Sequence, residues 1–193
     1  GYEGVNPWND YANSAEGDNG ELLSGWSLRN SNLPARIKEE HSETPYMTMR
    51  AKEFIKETGD NPWCLHLSFI KPHWPYMAPA PYHNMYGKES FIPVSRHNSE
   101  TENPNPVFKM FMEEQVGLTF SQQGTRETVL PGYMGLITQI DDHLGDLFNF
   151  LEKEGKKEET MIVFTSDHGD YLGDHWMGEK ELFHDVSVKI PLI

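Results

Sequence analysis

The stretch from Tyr133 to Phe164 places the strongest constraint on the fold. Tyr133, Ile137, Ile140, Leu144, Leu147, Phe148 and Leu151 trace one stripe at helical spacing after a turn expected at Pro131-Gly132, and Gly155 stands where a helix commonly ends. Met161-Ile162-Val163-Phe164 follows as a short, continuously apolar run, the pattern of a strand buried on both faces in a parallel sheet covered by helices. The upstream chain repeats the alternation. Thr44-Pro45 can cap and start a helix whose apolar face includes Met47, Phe54 and Ile55, and Gly59 stops it. In Trp63–Ile70, the residues Trp63, Leu65, Leu67 and Phe69 fall on one face at period two and Cys64, His66 and Ser68 on the other. A further helix is expected from Asn105-Pro106, carrying Val107, Phe108, Phe111, Met112 and Val116. Helix, strand, loop, helix, helix, strand predicts α/β architecture.

A chain of 193 residues can hold one sizeable core. Its 37% hydrophobic and 24% charged residues are those of a globular protein. No stretch approaches the roughly 18 to 20 apolar residues of a bilayer-crossing helix, so no membrane partner is expected. Sixteen Lys and Arg against 30 Asp and Glu give a net charge of −14, which repels nucleic acid phosphates and anionic surfaces unless a local patch inverts the field. Nucleic acid is therefore not an expected partner, and the residues leave self-association open. The single cysteine, Cys64, excludes an intrachain disulfide framework and a cysteine-rich zinc site, and its strand setting predicts a small buried core residue. The start at Gly1 and the apolar finish at Ile190-Pro191-Leu192-Ile193 lead us to expect a part of a longer polypeptide.

Two segments read as irregular. The first 35 to 40 residues are rich in Asn, Gly, Ser and acidic groups without a sustained period. From Pro72 to Pro106 the chain carries seven of its 13 prolines, which fix φ and remove amide donors, and long stiff loops of this kind are disproportionately functional.

The densest polar cluster, Thr165-Ser166-Asp167-His168-Gly169-Asp170, follows the apolar run directly, and ligands in open α/β sheets bind beyond the carboxyl ends of strands. Asp167 and His168 are the first metal candidates, because a carboxylate and a neutral imidazole both donate to a divalent cation. By residue type alone, an Asp capping a helix and a hydrogen-bonded His account for the pair equally well. Asp170, Asp174 and His175 read as surface or supporting groups. Lys180, between Glu179 and Glu181, reads by itself as a solvated lysine. The second cluster is Lys71-Pro72-His73-Trp74-Pro75-Tyr76. Prolines on both sides of His73 can present its imidazole in a defined orientation, and packing between Trp74 and Tyr76 is the alternative. His66 reads as a structural strand residue. Asp141 and Asp142 point about 100° apart on a helix and serve packing and solvation.

Val163-Phe164-Thr165-Ser166-Asp167-His168-Gly169-Asp170, with Leu172-Gly173-Asp174-His175 and Gly178-Glu179-Lys180, resembles the late metal-binding segment of the sulfatase family within the alkaline-phosphatase-like superfamily. Ser68–Tyr76 resembles the central histidine segment of that family, and Gly135–Gly145 the helix before its metal strand. The resemblance covers roughly residues 44–193 and implies part of an alkaline-phosphatase-like, mostly parallel sheet flanked by helices.

By that resemblance Asp167 and His168 bind one divalent ion, calcium or manganese. Lys180 contacts the charged oxygens of the transferred group, and His73 contacts the ester or assists its leaving oxygen. Histidine at 168, where many sulfatases have Asn, is similar to the branch of phosphonate monoester hydrolases and arylsulfatase-like enzymes. The resemblance thus implies hydrolysis of sulfate esters or phosphonate monoesters and a small anionic ester as substrate. A phosphodiesterase or phosphomutase-like relative, and an inactive sulfatase-like binding protein, are the alternatives. The early Asp ligands and the Cys/Ser-x-Pro-x-Arg segment that supplies a formylglycine nucleophile do not occur in these residues, so the nucleophile is expected outside this chain and Cys64 is not assigned the role. The proline-rich loop after His73 is a candidate specificity wall, with Trp74, Tyr76 and Tyr82 able to contact an apolar ester group, and local packing of the tyrosines is the alternative.

Overall fold

The computed structural model describes residues 11–193. Part of the segment expected to be irregular, residues 1–10, lies outside the described residues. The elements are β1 (Ser14–Glu16), β2 (Leu22–Ser24), α1 (Glu43–Thr58), α2 (Pro106–Glu113), α3 (Gln115–Phe120), α4 (Thr125–Lys153) and α5 (Asp185–Val188), joined by loops and short 3-10 turns. Two compact units divide the chain. One runs to Gly87 and resumes over Pro131–Met161; the other comprises Lys88–Leu130 and Ile162–Ile193. No helix of the described residues is long and apolar enough to cross a membrane.

In the first unit, Thr44, Thr48, Ala51 and Ile55 form the buried stripe of α1. The helix starts one residue before the predicted cap: Ser42 takes the N-cap position without a side-chain bond to the helix, and Gly59, at φ 56°, closes the other end. Ala51 and Ile55 pack against Leu147 and Leu151 of α4, with Phe54, Trp63, Leu65, Leu67 and Phe150 around them. Each such large apolar side chain contributes about 1.5 to 3 kcal/mol when fully buried. The inward face of α4 is displaced from the predicted stripe. Leu136, Gln139, Ile140, Leu147 and Leu151 are buried, while Ile137 is exposed. The helix also begins before the expected turn, at Thr125, and takes Pro131 inside it. Buried Gln139 is satisfied through its amide, which donates to Ser42 Oγ at 2.9 Å and Glu39 Oε1 at 3.1 Å.

Residues 63–69 keep the predicted alternation, with odd positions partly buried and Cys64, His66 and Ser68 exposed. They are not assigned as a strand, since a strand is defined by ladder partners and none pairs with them among the described residues. Cys64 therefore lies on the exposed face rather than in the core, and exposed His66 is not held in a ladder. In place of an entirely irregular N-terminal segment, β1 and β2 form an antiparallel hairpin with Ser14 opposite Ser24. Its Ala15 packs with Ala35 and Met77.

In the second unit, α2 starts as predicted, with Asn105 Oδ1 accepting from the Val107 amide at 2.9 Å and Pro106 in the first turn. The run Met161–Phe164 is not doubly buried, because no neighbours cover its faces among the described residues; Met161 is 88% exposed and Val163 59%. Its pairing is with the end of the chain. Phe164 and Ile193 exchange amide bonds at 2.9 and 3.0 Å, and Thr165 bridges Leu192 antiparallel.

Two glycines of α4 give opposite expectations for one substitution. A Cβ on Gly135 would collide with the Tyr82 carbonyl oxygen, whereas one on Gly145 meets nothing within 4 Å. Gly135→Ala should destabilise the protein by about 1 to 3 kcal/mol through overpacking. Gly145→Ala should stabilise it by about 0.5 to 1 kcal/mol through helix propensity, with both read from chemical-denaturation midpoints.

Candidate functional site

Asp167 and His168 follow the Phe164–Ile193 pairing, at the carboxyl end of the apolar run. Asp167 Oδ1 accepts from the His168 amide at 3.0 Å, and its side chain is 87% exposed. The ring of His168 is oriented by its own backbone neighbour. Nδ1 lies 2.7 Å from the Gly169 carbonyl, so Nδ1 carries the hydrogen and the lone pair of a neutral ring sits on Nε2. That nitrogen faces Asp167 Oδ2 at 3.7 Å. Adjacent ligands of one cation with bonds of about 2.1 to 2.6 Å stand roughly 3 to 4 Å apart, so the two donors fit a shared divalent ion as part of a ligand set. Among the described residues no cluster of three His, Cys, Asp or Glu completes it.

Ser187 of α5, 3% exposed, ties this pair to the segment of Lys180. Its carbonyl accepts from the Gly169 amide at 2.7 Å, and its hydroxyl donates to the Lys180 carbonyl. The approach is so close that a Cβ on Gly169 would overlap the Val186 carbonyl oxygen, which makes glycine the residue that fits there. Lys180 is about one-third exposed along its side chain and has Glu179 Oε2 3.8 Å from Nζ.

The backbone between these residues is strained. Leu172, His175, Trp176, Glu179 and Leu182 all have positive φ, between 45° and 74°. Such residues persist where their surroundings over-determine them. The Tyr171 amide donates to Glu179 O at 2.8 Å, and Arg126 Nε to Leu172 O at 3.1 Å. Asp174 Oδ1 accepts from the Ser95 amide, and Trp176 Nε1 donates to His97 O. Asp170 Oδ1 accepts from the Leu172 amide at 3.1 Å. Beside them, His175 Nδ1 meets Glu100 Oε1 at 2.6 Å, the His175 and His184 rings stack at 4.1 Å, and the Tyr171 hydroxyl lies 2.8 Å from His184 Nδ1. Burial pushes His184 down, assisted by charge on His175, and it pushes the Tyr171 hydroxyl up. Burial would raise Glu100, but the His97 amide and His175 together outweigh it and hold this carboxyl low.

His73 belongs to the first unit. Its Nδ1 lies 2.7 Å from Trp74 O and so carries the hydrogen, and its amide donates to Ile70 O at 3.1 Å. The flanking aromatics do not form the expected ester-facing wall. Tyr76 and Tyr82 are 1% and 8% exposed; Tyr76 packs edge-on to Tyr133, and the Tyr82 hydroxyl donates to Asp142 Oδ2 at 2.8 Å. Trp74 packs against Trp26 with ring centres 5.1 Å apart. Two residues before His73, Lys71 is partly exposed along its length while its ammonium is enclosed by protein. That ammonium donates to Asn13 Oδ1 at 2.9 Å and Pro75 O at 2.8 Å.

The Sulfatase family model matches residues 6–193. The chain belongs to the sulfatase family. It is 36% identical over 173 residues to the multifunctional alkaline phosphatase superfamily protein PehA of Trinickia caryophylli, covering 83% of this chain and 34% of the relative. It is 29% identical to a choline-sulfatase of Rhizobium meliloti, over 68% of this chain and 26% of that protein. Among solved structures, the phosphonate monoester hydrolase of Silicibacter pomeroyi superposes with a TM-score of 0.83 at 27% identity, covering all of this chain and 38% of its own. That of Agrobacterium radiobacter gives 0.74 at 25% identity, over 83% and 34%. The chain thus spans about a third of the length of these relatives, and its fold is the alkaline-phosphatase-like α/β fold.

Within this sulfatase-family chain, sequence reasoning singles out Asp167, His168, Lys180 and His73 as candidates, but not Ser187, which ties the Asp167–His168 and Lys180 segments, nor Glu100 and His184, which pack on His175. Ser187 carried no signal, since a lone serine in a four-residue helix has nothing to mark it. Glu100 and His184 lie 75 and nine residues from His175, in stretches with no motif.

Acid sensitivity tests the Glu100 contact. The unfolded chain holds a proton on this carboxyl just below its ordinary value of 4.5, where the folded chain does not. Its contribution to stability is therefore complete above that value and lost as pH falls through the lower folded value. Glu100→Gln should flatten the fall in urea midpoint below pH 4.5, and an unchanged profile would contradict the assignment.

Proposed function

We propose that the full-length protein containing this chain is a metal-dependent hydrolase of sulfate esters and phosphonate monoesters, with a small anionic ester as substrate. The observation that carries this reading is the Asp167–His168 donor pair, bound through Ser187 to the backbone of Lys180. The choline-sulfatase and the two phosphonate monoester hydrolases support the two ester classes, and the name of the PehA relative supports breadth between them.

In this reading Asp167 and His168 hold one divalent ion, calcium or manganese, with further ligands and a formylglycine nucleophile supplied by residues outside this chain. The ion would supply Lewis-acid polarisation of the substrate's charged oxygens, and the hydrated aldehyde the attacking oxygen. The Lys180 ammonium places a compact positive charge on the non-bridging oxygens, whose negative charge it stabilises in the transition state. His73 is oriented by its Nδ1–H bond to Trp74 O, which leaves Nε2 to hold the proton delivered to the leaving oxygen as the S–O or P–O bond breaks. The protonated leaving group departs as a neutral alcohol or phenol.

Asp167→Asn and Lys180→Ala should each lower kcat/KM for 4-nitrophenyl sulfate and a 4-nitrophenyl phosphonate by at least about 100-fold. Chelation should abolish turnover and calcium or manganese restore it. Variants as fast as the unaltered protein, or indifference to chelation, would overturn the reading.

A further inference from the structure

The first unit holds a buried polar cluster that the reaction above does not use. Glu43, in the first turn of α1, is 9% exposed; its Oε1 accepts from the Ile70 amide at 3.0 Å, and its Oε2 has no hydrogen-bond partner among the described residues. The Lys71 ammonium donates to Asn13 Oδ1 and to Pro75 O. Asn13, 1% exposed, is fixed by the hairpin, where its carbonyl accepts from the Gly25 amide at 2.7 Å. Glu43, Lys71 and Asn13 all line one cavity, with Ser42, Thr44 and Gln139 among its other polar residues.

These bonds bracket the turn that carries His73. Glu43 holds the turn at the Ile70 amide, and the Ile70 carbonyl accepts from the His73 amide. Lys71 reaches across His73 to the carbonyl of Pro75, which also accepts from the Met77 amide at 2.9 Å. The imidazole in turn is fixed by a carbonyl inside the bracket, that of Trp74. Enclosing an ammonium is costly, and a surface lysine would carry no such cost, so the bonds it makes must be what keeps it there. Burial pushes Lys71 down to about 8, opposed by the charge of Glu43, so the group remains mainly protonated near neutral pH.

We infer that Lys71, bonded to Asn13 and Pro75 beside a turn that Glu43 holds at the Ile70 amide, is a positioning residue that fixes the His73 turn so that the imidazole meets the leaving oxygen. The inference rests on the role proposed for His73. A misplacement of about 1 Å at a reacting group can cost 100-fold, so loosening this turn should appear in kcat rather than in substrate binding.

The test compares phenyl sulfate with 4-nitrophenyl sulfate in the full-length protein. Phenolate is the poorer leaving group and needs the proton more. Lys71→Met should lower kcat for phenyl sulfate by about 10- to 100-fold, with a much smaller loss for 4-nitrophenyl sulfate and little change in KM. In a His73→Ala background, Lys71→Met should cost nothing further, because both changes remove the same contribution. Equal losses for the two esters, or a full additional loss in the double variant, would overturn the inference while leaving the role of His73 standing. If His73→Ala itself showed no leaving-group dependence, the proposed role of His73 would fall and this inference with it. Should Lys71→Met not fold, Asn13→Ser, which leaves the Pro75 bond in place, should give the same leaving-group bias at reduced size, and an unbiased loss there would equally overturn the inference.

Discussion

Two hydrogen bonds of Ser187 run in opposite directions, and the shape of residues 167–180 depends on them. Its carbonyl takes the Gly169 amide and its hydroxyl gives to the Lys180 carbonyl. Without this tie, a stretch with four non-glycine residues at positive φ would have many alternative conformations of lower local energy. The loop bonds from Ser95, His97 and Arg126 then need only refine a path that Ser187 has already joined at both ends. An imidazole oriented by a backbone carbonyl and a carboxylate oriented by a backbone amide need little further ordering to accept a cation, and preorganisation of that kind is where a binding site gains most.

The overall charge of −14 opposes an anionic ester everywhere except where the field is locally inverted. In the proposed reaction Lys180 would supply one positive charge, and the Asp167–His168 pair would become net positive on holding a divalent ion. Lys71, also in the segment assigned to catalysis, is a charge of another kind. Its ammonium is turned to Asn13 and Pro75, and in the inference drawn above it would serve the backbone rather than the substrate.

Much of this organisation was legible in the sequence, and the limits have physical causes. The helices from Glu43 and Pro106 carried local signals in the form of a terminal glycine and an Asn-Pro cap, and these act within a few residues. The stripe of α4 was displaced because Gln139 pairs with Ser42 and Glu39, residues about 100 positions away that no period reveals. The alternation of Trp63–Phe69 was correct and yet produced no assigned strand, because a ladder depends on a neighbour and not on the strand's own residues. The same dependence left Met161–Phe164 exposed and placed Cys64 at the surface. Candidate site residues such as Asp167-His168 stand out by type and motif, whereas Ser187 and Glu43 act on backbone atoms of distant segments and Asn13 on a side chain 58 positions away, and none of these carries a local signal. The N-terminal hairpin, read as irregular, provides Asn13 as the acceptor for Lys71.

Metal content measures the central assignment most directly. Inductively coupled plasma mass spectrometry of the dialysed full-length protein should find about one divalent ion per chain, calcium or manganese, and only a trace in Asp167→Asn and His168→Ala variants that remain folded. Variants that retain the same ion at the same stoichiometry would contradict the assignment of Asp167 and His168 as its ligands.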